Sequence, residues 1–105
     1  MGRTNILITS AGRRVSLVRG FQKEIEQLGL TSKVYCTDIE PLLSSACNVS
    51  DGSFRVKRVT EEGYIDQLLE ICVENNIKLV VPTIDTELEI LAKSREIFSS
   101  HGILF

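Results

Sequence analysis

Short apolar runs alternate with segments of helical periodicity along the 105 residues, and this alternation restricts the possible folds more than any other feature. It predicts strands at residues 4–10, 33–37, 53–59, 79–81 and 103–105, and helices at 15–28, 60–73 and 86–99. Strand–helix–strand units with short connections form parallel sheets, because consecutive parallel strands need a right-handed crossover. The order therefore predicts an α/β three-layer fold with a parallel sheet of about five strands.

Apolar stripes and capping residues give the predicted helix boundaries. The first stripe recurs every three or four residues and comprises Val15, Val18, Phe21, Ile25 and Leu28; the second comprises Ile65, Leu68, Leu69, Cys72 and Val73. We expect Thr60 to cap the second helix, and a Thr86-x-x-Glu89 capping box to open the third, whose apolar residues include Leu88, Leu91 and Phe98. Residues 42–52 are predicted to be a loop with at most one helical turn.

Composition indicates one ordinary globular domain. Hydrophobic residues make up 43% and charged residues 25%, which excludes the disordered and fibrous classes. The longest uncharged apolar run, residues 79–84, is far shorter than the roughly 20 residues of a membrane span. The amino terminus lacks the long apolar stretch of a signal peptide. We therefore expect a cytoplasmic protein without a membrane partner. Residues 1–105 are expected to form a single domain. The apolar residues 103–105 at its end suggest that it is cut from a longer protein.

Charge is distributed unevenly, although the net charge is only −2. Residues 1–34 carry six Lys and Arg against two Glu, whereas residues 61–105 are strongly acidic. The basic third could attract a small anion but is too limited for a nucleic-acid surface, and no aromatic residues are interleaved with it. We expect no nucleic-acid partner.

The sequence argues against several common sites. Three cysteines without Cys-x-x-Cys spacing and one distant histidine, His101, predict neither a metal site nor a hydrolytic triad. Cys36 and Cys72 are expected in the core, whereas Cys47 lies in the predicted loop and could be an exposed thiol, with no residue nearby to activate it. A P-loop is excluded because no Gly-Lys-Ser/Thr occurs, and NAD(P) is disfavoured because Val15 stands where the fingerprint needs its third glycine.

The loops that follow the strands are the candidate binding site, because ligands of open parallel sheets bind at the carboxyl ends of the strands. After the first strand, Ser10, Ala11 and Gly12 would offer backbone N–H groups to an anion, and Arg13 and Arg14 follow at the helix start. Asp38 follows the second strand. Thr83, Asp85 and Glu87 follow the fourth, and they could face an amine, a metal or a neighbouring domain's ligand, or only cap a helix.

The same residues carry a resemblance to a known family. Asn5–Arg14, Thr37-Asp38, Val81–Leu88 and Gly102-Ile103 resemble the N-terminal, pre-ATP-grasp domain of ATP-grasp ligases similar to the carbamoyl-phosphate synthase large subunit and the pyrrolysine-biosynthesis ligase. The resemblance implies a Rossmann-like domain that lines the substrate side of the cleft through Ser10–Arg14, Asp38 and Thr83–Glu87. The resemblance assigns no catalytic residue to this domain.

The resemblance also implies partners outside this chain. ATP and Mg²⁺ would bind in a downstream ATP-grasp domain, and none would be bound by this chain alone, which would be inactive. The whole enzyme would convert a small-molecule carboxylate into an acyl phosphate that an amine attacks, and it could be a homodimer. Two alternatives stay open: a non-catalytic nucleotide- or effector-binding module, and a structural domain that orients a partner.

Overall fold

Four parallel strands form the central sheet in the computed structural model, which describes residues 4–105. They are β1 (Asn5–Thr9), β2 (Val34–Asp38), β3 (Gly52–Arg55) and β4 (Ile77–Pro82), in the spatial order β3-β2-β1-β4. Leu104 adds one parallel bridge to Leu79, at the outer side of β4. The α/β fold with a parallel sheet is confirmed, with a single bridge where a fifth strand was expected. Arg3, counted above among the basic residues, lies outside the described residues.

Helices cover both faces of this sheet. They are α1 (Val15–Gln27), α2 (Ser45–Val49), α3 (Tyr64–Glu74), α4 (Asp85–Lys93) and α5 (Arg95–Ser100), with a 3-10 turn at Pro41–Leu43. Within residues 4–105, none of the helices combines the length and apolar character needed to cross a membrane.

Successive residues of β1 point to opposite faces and enter two separate cores. Leu7 packs with residues of α3, α4 and α5, among them Leu68, Leu91 and Phe98. Ile8 packs with α1 and α2, where Val18 and Cys47 are buried. Because each face is covered by different helices, the short apolar strands are buried on both sides, as in other parallel sheets.

The third predicted helix is in fact two. Helix α4 ends at Lys93, and Ser94 is both its C-cap and the N-cap of α5. Periodicity could not detect this break, because Leu91 and Phe98 are seven residues apart and a continuous helix would also place both on one face. The predicted capping box is wrong as well: Ile84 is the N-cap of α4 and makes no side-chain capping bond, and Leu88 is half exposed.

The predicted start of the second helix is also wrong. Gly63, with φ of 88°, is the N-cap of α3, so Thr60 lies in the preceding turn. In that turn Glu61 accepts a hydrogen bond from the Arg58 backbone N–H. Only glycine adopts such a φ without strain. The helix predicted to follow Thr60 therefore begins only after Gly63. Strand β3 is correspondingly shorter than predicted, ending at Arg55.

The segment expected to be a loop contains the short helix α2. Its N-cap is Ser44, whose hydroxyl accepts a hydrogen bond from the Cys47 N–H. Cys47 is therefore buried, and its predicted exposure is wrong. Two predicted members of the helical stripes, Leu28 and Val73, are exposed, and each lies in the last turn of its helix or just beyond it.

The order in which strands are added to the sheet reverses once along the chain. The chain runs from β1 outward to β2 and β3, then returns to β4 on the other side of β1. Helix α1 leaves β1 toward one core, and α4 leaves β4 toward the other. Such a switch point opens a crevice at the carboxyl ends of the two strands, and ligands bind there in open α/β sheets.

Candidate functional site

The loop Ser10–Arg14 leaves the carboxyl end of β1 in a tight turn. Ser10 and Gly12 both adopt left-handed backbone conformations, with φ of 52° and 51°. A left-handed conformation is unusual for serine and natural for glycine. The Thr83 hydroxyl lies within hydrogen-bonding distance of two carbonyl oxygens of this turn, 2.7 Å from that of Ser10 and 2.9 Å from that of Thr9. The β4–α4 segment therefore stabilises the strained turn.

Asp38 joins the same loop from the carboxyl end of β2. Its Oδ2 accepts a 3.0 Å hydrogen bond from the Gly12 N–H, and its Oδ1 accepts one from the Glu40 N–H. The Ala11 N–H donates to the Thr37 carbonyl. These two N–H groups of the loop are therefore used within the domain, and binding of an anion by the loop stays a prediction.

A third connection comes from the other side of the loop. The Gly12 carbonyl accepts hydrogen bonds from the Ser44 hydroxyl, at 2.6 Å, and from the Ala46 N–H, at 3.1 Å. Ser44 thus both caps α2 and orients the loop. Ser44 was not predicted from the sequence, although a serine that precedes a short helix is a recognisable N-cap signal.

The two arginines at the start of α1 are exposed at this edge of the sheet. The Arg14 guanidinium donates a 3.2 Å hydrogen bond to the Thr83 carbonyl, which links the start of α1 to the segment after β4. The Arg13 side chain forms no hydrogen bond or ion pair with any residue of 4–105. Both cations stand at the positive end of the helix dipole, which disfavours them. A bound anion would offset that cost.

The acidic residues after β4 have different positions. Asp85 is exposed in the first turn of α4, at the edge of the sheet. Glu87 is fully buried beneath that edge, where the Thr9 hydroxyl and the Tyr64 hydroxyl donate to its two oxygens. Both oxygens of Glu87 are thus engaged within the domain, and its contact with a substrate stays a prediction. The sequence carried no signal for its partners, which are 78 and 23 residues away.

The buried hydroxyl of Tyr64 remains a donor over a wide pH range. Burial, with the nearby Glu87 carboxylate, raises the pKa of Tyr64 far above its ordinary value of 10. The hydrogen bond therefore runs from the phenol to the carboxylate.

The cysteines lie outside this group of residues. A hydrogen bond from Cys36 lowers the pKa of Cys47 to about 7, and the same pairing raises the pKa of Cys36. Burial alone raises the pKa of Cys72 to about 12.

Two cavities in the described part of the chain lie away from the loops that follow β1, β2 and β4. One of about 380 Å³ is lined by residues 59–66 and Ile90, and one of about 410 Å³ lies between β3 and α3. Neither touches Ser10–Arg14, Asp38 or Thr83. The candidate site is an open edge that carries exposed charges.

A parallel α/β domain whose strand-end loops converge at a switch point is the class that this fold and site define. Residues 6–105 match the family model described as PylC-like, N-terminal domain. The chain belongs to this family, and it is the pre-ATP-grasp, N-terminal part of a PylC-like ATP-grasp ligase. The sequence matches no curated protein.

Proposed function

We propose that this domain forms the substrate side of a ligase that joins a carboxylate to an amine through an acyl phosphate. The proposal rests on membership of the PylC-like N-terminal family and on the convergence of Ser10–Arg14, Asp38 and Thr83 at one edge. A downstream ATP-grasp domain would provide the other wall of the cleft and would hold ATP and Mg²⁺. The chain alone would then be inactive.

The exposed guanidinium groups of Arg13 and Arg14 support an anionic ligand. Both cations stand beside the positive end of a helix dipole, and together they form a region of positive potential. The Ala11 and Gly12 N–H groups of the loop below them are already hydrogen-bonded within the domain. Arginine binds carboxylate and phosphate oxygens with two parallel hydrogen bonds. We assign these side chains to the carboxylate substrate or its phosphorylated form, and the exposed carboxylate of Asp85 to the amine.

The described residues do not form a site for Mg²⁺. Within residues 4–105 no three His, Cys, Asp or Glu side chains come together as a metal site. The oxygens of Asp38 and Glu87 accept hydrogen bonds from within the domain. We therefore assign Mg²⁺ and the ATP chemistry to the downstream domain and propose only substrate contacts for this one.

The test uses the intact protein that carries this chain. ADP release is measured with ATP, Mg²⁺ and mixtures of small carboxylates and amines, and active pairs are then resolved individually. Arg13→Gln and Arg14→Gln should each raise the KM for the carboxylate about tenfold, the order expected for losing one charge-assisted interaction, with the KM for ATP unchanged. Arg19→Gln is the matched control, since Arg19 is also exposed on α1 but lies beyond the edge.

Two results would contradict the proposal. If no carboxylate and amine pair stimulates ADP release, the ligase assignment fails. If NAD or another nucleotide binds at micromolar concentration and no substrate pair reacts, the effector-binding alternative replaces it. Equal effects of Arg14→Gln and Arg19→Gln would remove the two arginines from the site.

A further inference from the structure

Glu87 is a buried carboxylate without a cationic partner. Its side chain is fully buried, and among residues 4–105 it forms no ion pair. Hydroxyl groups alone satisfy it: Thr9 Oγ1 donates to Oε1 at 2.5 Å, and the Tyr64 hydroxyl donates to Oε2. Burying a carboxylate costs several kcal/mol unless hydrogen bonds compensate. The two donors are therefore strongly held in place.

One of these donors leads directly to the candidate site. Thr9 is the last residue of β1, and the left-handed Ser10 follows it. The Thr9 side chain is held by Glu87, while its carbonyl is held by the Thr83 hydroxyl. The segment Thr83–Glu87 thus holds both the side chain and the main chain of the residue before the turn.

The other donor leads away from the site. Tyr64 begins α3 and belongs to the core formed with Leu68 and Leu91. Its hydroxyl stays protonated because burial raises its pKa. Both hydrogen bonds to Glu87 come from hydroxyl groups, but only the one from Thr9 leads to the loop Ser10–Arg14.

We propose that Glu87 is a positioning residue for the loop Ser10–Arg14, acting through the Thr9 hydroxyl. By fixing the end of β1 it sets the direction in which the chain enters the turn, and so the place where Arg13 and Arg14 stand. The expected effect of Glu87 on substrate binding rests on the proposed function, since those arginines are assigned to the carboxylate substrate. Its physical content, the ordering of the loop by Glu87, can be measured without any substrate.

The matched variants are Thr9→Val and Tyr64→Phe in the intact protein. Each removes one hydroxyl donor from Glu87 and keeps nearly the same shape, so both should lower thermal stability by similar amounts. Amide hydrogen exchange is followed by mass spectrometry on the peptide that contains residues 10–14. Loops open locally without global unfolding, so this signal is separate from overall stability.

Thr9→Val should accelerate exchange in this peptide about tenfold, the order expected for losing a hydrogen bond to a charged acceptor. Tyr64→Phe should leave it unchanged, and Thr9→Ser should restore the slow exchange. Equal acceleration in Thr9→Val and Tyr64→Phe would mean that Glu87 is only a structural residue and would overturn the proposal. Unchanged exchange in both variants would also overturn the proposal.

Failure of this proposal is distinguishable from failure of the proposed function. Exchange rates report on the loop whether or not a substrate pair has been found. Where a pair is active, Thr9→Val should raise the KM for the carboxylate, whereas Tyr64→Phe should leave that KM unchanged despite its similar loss of stability.

Discussion

The backbone N–H of Gly12 donates a 3.0 Å hydrogen bond to Oδ2 of Asp38, which joins the loop after β1 to the end of β2. The other oxygen of Asp38 accepts from the Glu40 N–H. An aspartate at the end of the second strand is often taken as a ligand for a ribose hydroxyl. Here its carboxylate instead holds the loop that carries the two arginines.

Asp38→Ala should lower the free energy of unfolding by about 1–3 kcal/mol, because two backbone N–H groups lose their acceptor. Asp51→Ala is the matched control: its Oδ2 accepts from the Val34 N–H at the opposite end of β2. Urea unfolding measures both losses, and hydrogen exchange of residues 10–14 should accelerate only in Asp38→Ala. Acceleration in both variants would show that the loop responds to general loss of stability.

Stability should fall at high pH because of Tyr64. Burial raises the pKa of this phenol in the folded protein, so the unfolded chain releases its proton first. The contribution is fully present below pH 10 and decreases as the pH rises above it. Thermal unfolding from pH 8 to 11 should show a steeper decline in the wild type than in Tyr64→Phe. Parallel curves would contradict the assignment.

Gly52→Ala should be destabilising by about 1–3 kcal/mol, since a Cβ at this position would lie 2.8 Å from two ring atoms of Tyr35. Tyr35 also packs against Phe54, so its ring cannot move without losing contacts. Gly20→Ala provides the contrast, because no atom lies within 4 Å of its added methyl group and alanine favours a helix by about 1 kcal/mol. Urea unfolding should show opposite signs for the two variants.

Cys47 should react with iodoacetamide faster than Cys72 at neutral pH. A hydrogen bond from Cys36 lowers the pKa of Cys47 to about 7, whereas burial raises that of Cys72 to about 12. The thiolate is the nucleophile, so the rate at Cys47 should rise as the pH increases through about 7. Both thiols are buried, so the comparison controls for access. Cys36→Ala should slow the reaction; equal rates at Cys47 and Cys72 would contradict this.

Secondary-structure type was predictable where a pattern repeats over several residues. The apolar runs Ile6–Ile8 and Leu79–Val81 lie in strands, and the stripe through Val18 lies in a helix. Boundaries were less predictable. Gly63 and Ser94 interrupt helices through backbone conformations that apolar periodicity does not register.

The location of the candidate site was predictable for a topological reason. In a parallel sheet all strands end at the same edge, so the segments after β1, β2 and β4 had to converge. The hydrogen bonds that join Gly12 to Asp38 and Thr83 to Ser10 are at that edge. The binding roles of these residues remain predictions.

The sequence by itself determined the α/β class and the edge at which the strand-end loops meet, because both follow from the order of short apolar strands and amphipathic helices along the chain. Tertiary structure alone decided that Glu87 is buried against Thr9 and Tyr64 and that Ser44 holds the Gly12 carbonyl. These contacts join residues far apart in the chain. No local pattern encodes them, since they depend on how the helices pack on the two faces of the sheet.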